Sequence, residues 1–237
     1  MIPIFDNILN KITEKNNIFR ITGTLGVLGL LLILIADYKI LYMPLSTKEY
    51  STSHTAMAHS IADILFYTKL SVFAIPFVLF GLYHFYLTLS ISNKLLAKVT
   101  VGAYAFGYLN AAFYYAYLAY IMSAVQLIVP LKLNLPYILK HLYFLFQIFY
   151  YAGIIAGSIL FFLGLSFFKR INYPKWYIYF NPLYLLFIFR IILTNMTPPA
   201  FSGFFLISSF TLIMLITFIF STVIIWKKSV KTLLPEV

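Results

Sequence analysis

A carboxylate set inside an apolar run constrains this chain more than any other feature. The segment from Arg20 to Pro44, RITGTLGVLGLLLILIADYKILYMP, opens with a cation and carries Asp37 near its far end. Between them it stays apolar for about the 20 residues a helix needs to cross a bilayer. On a helix, Gly23, Gly26, Leu30, Ile33 and Asp37 fall in one narrow stripe, because steps of three and four residues return to the same face. The acid therefore points where the glycines let a neighbouring helix come close.

The rest of the chain repeats this logic. Of its 237 residues 62% are hydrophobic and 10% charged, against roughly 25% charged in an average soluble domain. That composition excludes a soluble fold. The apolar length is used up in spans and no loop is long enough to bury a second core, so residues 20–237 read as one integral membrane domain. The formal charge is +11, but the basic residues sit at the ends of apolar runs, as topology signals and headgroup contacts do. They form no basic face for nucleic acid, so membrane lipids are the expected surface partner. Cysteine is absent, which removes disulfides, thiolate metal sites and cysteine nucleophiles.

Five further apolar runs, near 68–92, 99–129, 141–167, 177–195 and 203–226, each approach spanning length. The expected fold is all-α: a polytopic transmembrane bundle of six spanning helices. Lys11, Lys15, Arg20, Lys94, Lys98, Lys169, Arg170, Lys175, Lys227, Lys228 and Lys231 fall on one side. Lys39, Lys48, Lys69, Lys132 and Lys140 fall on the other. By the positive-inside rule both termini are cytoplasmic, and an even number of spans agrees. Residues 1–19 place Ile4, Phe5, Ile8, Leu9 and Ile12 at helical spacing opposite Asp6, Asn7, Lys11 and Glu14, the pattern of an amphipathic interfacial helix. A cleaved signal peptide is the rival reading, and the missing small-x-small site speaks against it.

Polar residues inside the spans mark the candidate site. Gly107, Asn110, Tyr114 and Tyr117 stripe the third span, and Gln147, Tyr151 and Ser158 the fourth, where Gly153 and Gly157 make a packing step. Ionisable groups in hydrocarbon cost about 2.5–3.5 kcal/mol each on insertion scales and persist only with partners, water or a route to the interface. Those here are Asp37, His84 and Arg190. Arg190 either meets Asp37 in the outer half or extends its stem to the outer headgroups. His84 is either hydrogen-bonded to a neighbouring span or one station of a proton path.

In the loop before the second span, His54, His59 and Asp63 form HxxxxHxxxD. The i, i+4 step from His59 to Asp63 could offer two ligands to an ion, with Asp37 or His141 as a third. Two ligands are not a site, and a solvated polar patch is the simpler reading, so no metal is expected. The serines and threonines of the last span show no GxSxG turn and no nearby His/Asp partner. No P-loop, GxGxxG or HExxH is present, and no cofactor is expected.

The opening RITGTLGVLGLLLILIADYKILY, with Tyr38 and Tyr42 after the acid, resembles the first span of a family of bacterial multi-spanning membrane proteins with no assigned activity. The stretch YPKWYIYFNPLYLLFIFRIILTNMTPPAFSGFF, with Tyr173, Pro174, Trp176, Asn181-Pro182 and Pro198-Pro199, is similar to that family's penultimate span and flanking turns. The match covers about a quarter of the chain. The family pattern favours a histidine in the third span, where this chain has Asn110. The resemblance implies a bacterial cell-membrane location and no mechanism.

Taken together, the residues predict a pocket in the outer half of the bundle, formed by Asp37, Asn110, Tyr114, Gln147 and Arg190 and capped by His59 and Asp63. Such a pocket suits an amphipathic, lipid-like small molecule that is bound or transported, with aromatic walls for its apolar part. Two alternatives stand beside it. One is a membrane-embedded enzyme with a His/Asp acid-base or metal site acting on a lipid, and the other a structural or immunity-type subunit. Oligomeric state is open.

Overall fold

A computed structural model of the chain describes residues 2–41, 59–128, 137–167, 173–195 and 199–227. Within its helices, the side chains of 2–16, 41, 137, 139–140, 190, 192–195 and 199–208 lie outside the description. Among the described residues six α-helices follow in order: α1 Ile2–Leu41, α2 Ile61–Ser90, α3 Lys94–Ile128, α4 Tyr137–Phe167, α5 Pro182–Asn195 and α6 Pro199–Lys227. A 3₁₀ helix, Lys175–Phe180, precedes α5. No strand occurs among the described residues.

Five segments are long and apolar enough to cross a membrane: Asn17–Ile40, Ile61–Ser90, Lys94–Ile128, His141–Phe167 and Ser209–Lys227. The protein is a helical membrane bundle. The expected surface helix at 1–19 is helical from Ile2 and continues into the first span without a break.

Local chemistry sets the helix ends. Ser60 caps α2, its Oγ accepting from the Asp63 N–H at 3.1 Å and donating to Asp63 Oδ2 at 2.6 Å. The turn into α3 is closed by the amides of Ser92 and Asn93 on the Leu89 carbonyl. Asn93 Oδ1 then accepts from Leu96 N at 2.9 Å. Asn181 does the same for α5, accepting from Leu183 N at 2.9 Å. Pro182 takes the first helical position, where its missing N–H is not needed.

Packing is antiparallel and runs through glycines. α1 lies between α2 and α6, α3 joins α2 to α4, and α5 rests mainly on α6. Gly26 and Gly81 cross so tightly that a Cβ on Gly26 would sit 3.0 Å from Gly81 Cα and overlap Phe218. A Cβ on Gly29 would come within 2.8 Å of Val78 N. The second crossing, α3 on α4, pairs Gly107 with Gly153, and Gly157 lies under the Tyr104 ring. The packing step expected at Gly153 and Gly157 is therefore a close helix contact. At the centre Phe85 meets Phe218 at 4.3 Å and Phe161 at 5.0 Å between ring centroids.

The run expected as one span at 177–195 differs. Asn181 is extended (φ −65°, ψ 138°), so the chain passes from a 3₁₀ helix to an α-helix of 14 residues. At 1.5 Å per residue α5 is about 21 Å long, short of the roughly 30 Å of hydrocarbon. Residues 173–186 nevertheless climb antiparallel to α6. Tyr173 bonds Ser221, Tyr177 donates to the Thr217 carbonyl at 2.9 Å, and Leu183 and Leu186 lie by Ile213 and Met214.

Candidate functional site

The α1 stripe read from the sequence is the buried face: Gly23, Gly26, Leu30, Ile33 and Asp37 are all buried. Asp37, 3% exposed, is held from two other helices. Tyr115 of α3 donates to Oδ1 at 2.7 Å and Thr211 of α6 to Oδ2 at 3.1 Å. Three helices, α1, α3 and α6, thus meet at one acid. Among the described residues no lysine, arginine or histidine acts on it. Hydroxyls can satisfy the oxygen lone pairs of a carboxylate, but they supply no counter-charge.

Tyrosine rings wall this acid. Tyr114 lies 5.2 Å from Tyr115 and 6.2 Å from Tyr150, centroid to centroid, and Tyr108 lies 6.1 Å from Tyr150. The wall continues toward the His141 end, where the Tyr114 and Tyr143 hydroxyls are 3.3 Å apart. On the α6 side Tyr151 stacks on Phe210 at 4.8 Å.

The other expected site residues fall variously. Tyr114 is in the wall, and Gln147 stands one turn from Tyr151 on α4. Asn110 is half-exposed, and its Nδ2 donates to the Phe106 carbonyl of its own helix at 2.8 Å. Asp63 is occupied by Ser60. His59 is half-buried, its carbonyl accepts from Gln126, and its Nε2 has no partner among the described residues. No group of three metal-ligating side chains occurs among the described residues. His54 and the side chain of Arg190 lie outside them, so the expected approach of Arg190 to Asp37 does too.

A second polar centre, toward the Phe19 end, joins residues the sequence reading kept apart. His84 of α2 is fully buried, with Nδ1 3.1 Å from the Phe19 carbonyl and Nε2 2.8 Å from Ser221 Oγ. A carbonyl only accepts, so Nδ1 carries the proton and Nε2 accepts from Ser221. Ser221 also bonds the Tyr173 hydroxyl. The last span thus does hold a serine beside a histidine, contrary to expectation; the two are 137 positions apart, and only the α1–α2–α6 packing unites them.

An open apolar cleft of about 250 Å³, lined by Phe162, Leu183, Tyr184 and Phe187, lies between α4 and α5 and does not touch Asp37. Comparison with protein-family models, curated proteins and solved structures returns no match for this chain.

Proposed function

We propose that this chain is a multi-pass cell-membrane protein that binds an amphipathic small molecule in the extracytoplasmic half of its bundle, with Asp37 as the polar anchor. Transport of that molecule across the membrane is the natural extension. One observation carries the reading: a carboxylate on a spanning helix, 3% exposed, with hydroxyl donors on both oxygens and no cation among the described residues to balance it. A ligand bearing an ammonium group would supply that charge, and the tyrosine walls suit both the cation and the apolar remainder.

The proposal includes six crossings with both termini cytoplasmic. The fifth is composite, made of the 3₁₀ helix and α5. Six residues rising about 2.0 Å each and fourteen rising about 1.5 Å each span roughly 33 Å, which matches the hydrocarbon thickness. The resemblance of the first and penultimate spans to bacterial membrane proteins supports a bacterial cell membrane as the location.

The test is thermal unfolding of the detergent-purified protein against a panel of amphipathic amines and lipids. A compound that stabilises the native chain and fails to stabilise Asp37→Asn supports the reading. Equal stabilisation of both proteins would overturn it.

A further inference from the structure

The 3₁₀ helix before α5 presents two columns of rings, because residues three apart eclipse on such a helix. Tyr177 and Phe180 form the inner one: Tyr177 is fully buried, and Phe180 meets Phe220 of α6 at 4.0 Å between centroids. Trp176 and Tyr179 form the outer one and face away from the bundle, 47% and 63% exposed. The outer column runs on into α5. The Tyr179 ring lies 6.1 Å from that of Tyr184, which lies 5.6 Å from Phe162 of α4. Phe162 and Tyr184 are two walls of the open cleft between α4 and α5, and Leu183 and Phe187 are the others. Asn181 pins the start of α5 to the Ser158 carbonyl of α4 at 3.2 Å, and beyond that point the two helices leave the cleft open.

Depth and charge select the occupant. Phe162 stands five residues before the end of α4, about 7.5 Å along its axis, so the cleft opens toward hydrocarbon just inside the headgroups. Its volume of about 250 Å³ falls below the roughly 300–1,000 Å³ of sites for compact ligands and suits a length of one chain. Arg20, Lys94, Lys98, Lys175 and Lys227 are exposed at this end of the bundle. Both acids with described side chains, Asp37 and Asp63, lie at the other end. Exposed tryptophan and tyrosine rings settle at headgroup level.

We propose that the cleft and the outer ring column form a binding site for one anionic phospholipid of the leaflet at the Lys175 end. An acyl chain lies in the cleft between α4 and α5, and the glycerol region meets Trp176 and Tyr179. Lys175, about 8 Å along the 3₁₀ axis from Tyr179, takes the phosphate. The lipid clasps α5 to α4, whereas α5 otherwise rests mainly on α6. The site is separate from Asp37 and independent of what binds there.

The test uses the full chain in phosphatidylcholine liposomes, with bimane on one introduced thiol. Ile188→Cys places the dye beside the cleft, at a position 44% exposed, and Phe80→Cys places it on the lipid-facing side of α2, 62% exposed. Quenching is compared between nitroxide-labelled phosphatidylglycerol and nitroxide-labelled phosphatidylcholine with the same chains. At residue 188 phosphatidylglycerol should be preferred about fivefold, the weight of one lysine at an anionic surface. At residue 80 the preference should be near one. Lys175→Gln should bring the value at 188 down to that at 80, and Phe162→Trp, which fills the cleft from the α4 side, should do the same with little change in Tm. Equal preference at the two positions, or a preference at 188 that survives Lys175→Gln, would overturn the site.

Discussion

Tyr115 and Asp37, 78 positions apart on α3 and α1, share a 2.7 Å hydrogen bond with both side chains out of solvent. A bond from a hydroxyl to a carboxylate contributes about 1.5–3 kcal/mol, and Tyr115→Phe should lose that much. Thr211→Val should act on the other oxygen in the same direction and less strongly, because its bond is longer at 3.1 Å. Reversible unfolding in mixed micelles measures both. If the loss in the double substitution is the simple sum of the two single losses, the two hydroxyls are not coupled through the same acid.

Glycine positions separate close approach from open space. Gly81→Ala would drive a methyl group into Gly26 Cα and is expected to destabilise by about 1–3 kcal/mol, the range for overpacked cores. Gly102→Ala meets nothing within 4 Å and should be neutral or stabilise by up to about 1 kcal/mol through helix propensity. The same unfolding assay ranks the pair.

Asn110→Ala is expected to change stability by no more than about 0.5 kcal/mol and to leave any ligand response intact, since its amide serves only the Phe106 carbonyl one turn back. Loss of ligand binding in this variant would move the site toward the α3–α4 edge.

Asn181→Ala removes both the α5 cap and a 3.2 Å bond from Nδ2 to the Ser158 carbonyl. The cap alone is worth about 1 kcal/mol. Hydrogen exchange should accelerate first at the start of α5, leaving α1 and α2 protected.

Because the chain has no cysteine, single introduced thiols report sidedness without background. Ser46→Cys should react with a membrane-impermeant maleimide from outside intact cells, and Lys94→Cys only after lysis. The reverse pattern would invert the proposed orientation.

The reasons these features were or were not legible are physical. The α1 stripe could be read because helical spacing alone decides which α1 residues share a face with Asp37. Which hydroxyls reach that acid could not, since Tyr115 and Thr211 come from two other helices whose rotation no local pattern fixes. Asn110 misled because a polar residue in a span can satisfy itself on its own backbone. The Ser60-x-x-Asp63 cap was visible in principle, as a serine three residues before an acid at a helix start. The break before α5 was half legible: Asn181-Pro182 marked an entry turn, while the 3₁₀ geometry of 175–180 depends on Tyr177 and Phe180 seating against α6.

The packed rings of Phe85, Phe218 and Phe161 have a mechanical consequence. Rings from α2, α6 and α4 meeting at one level tie three helices together, so any helix that slid or tilted past its neighbour there would have to unseat close-packed aromatic side chains.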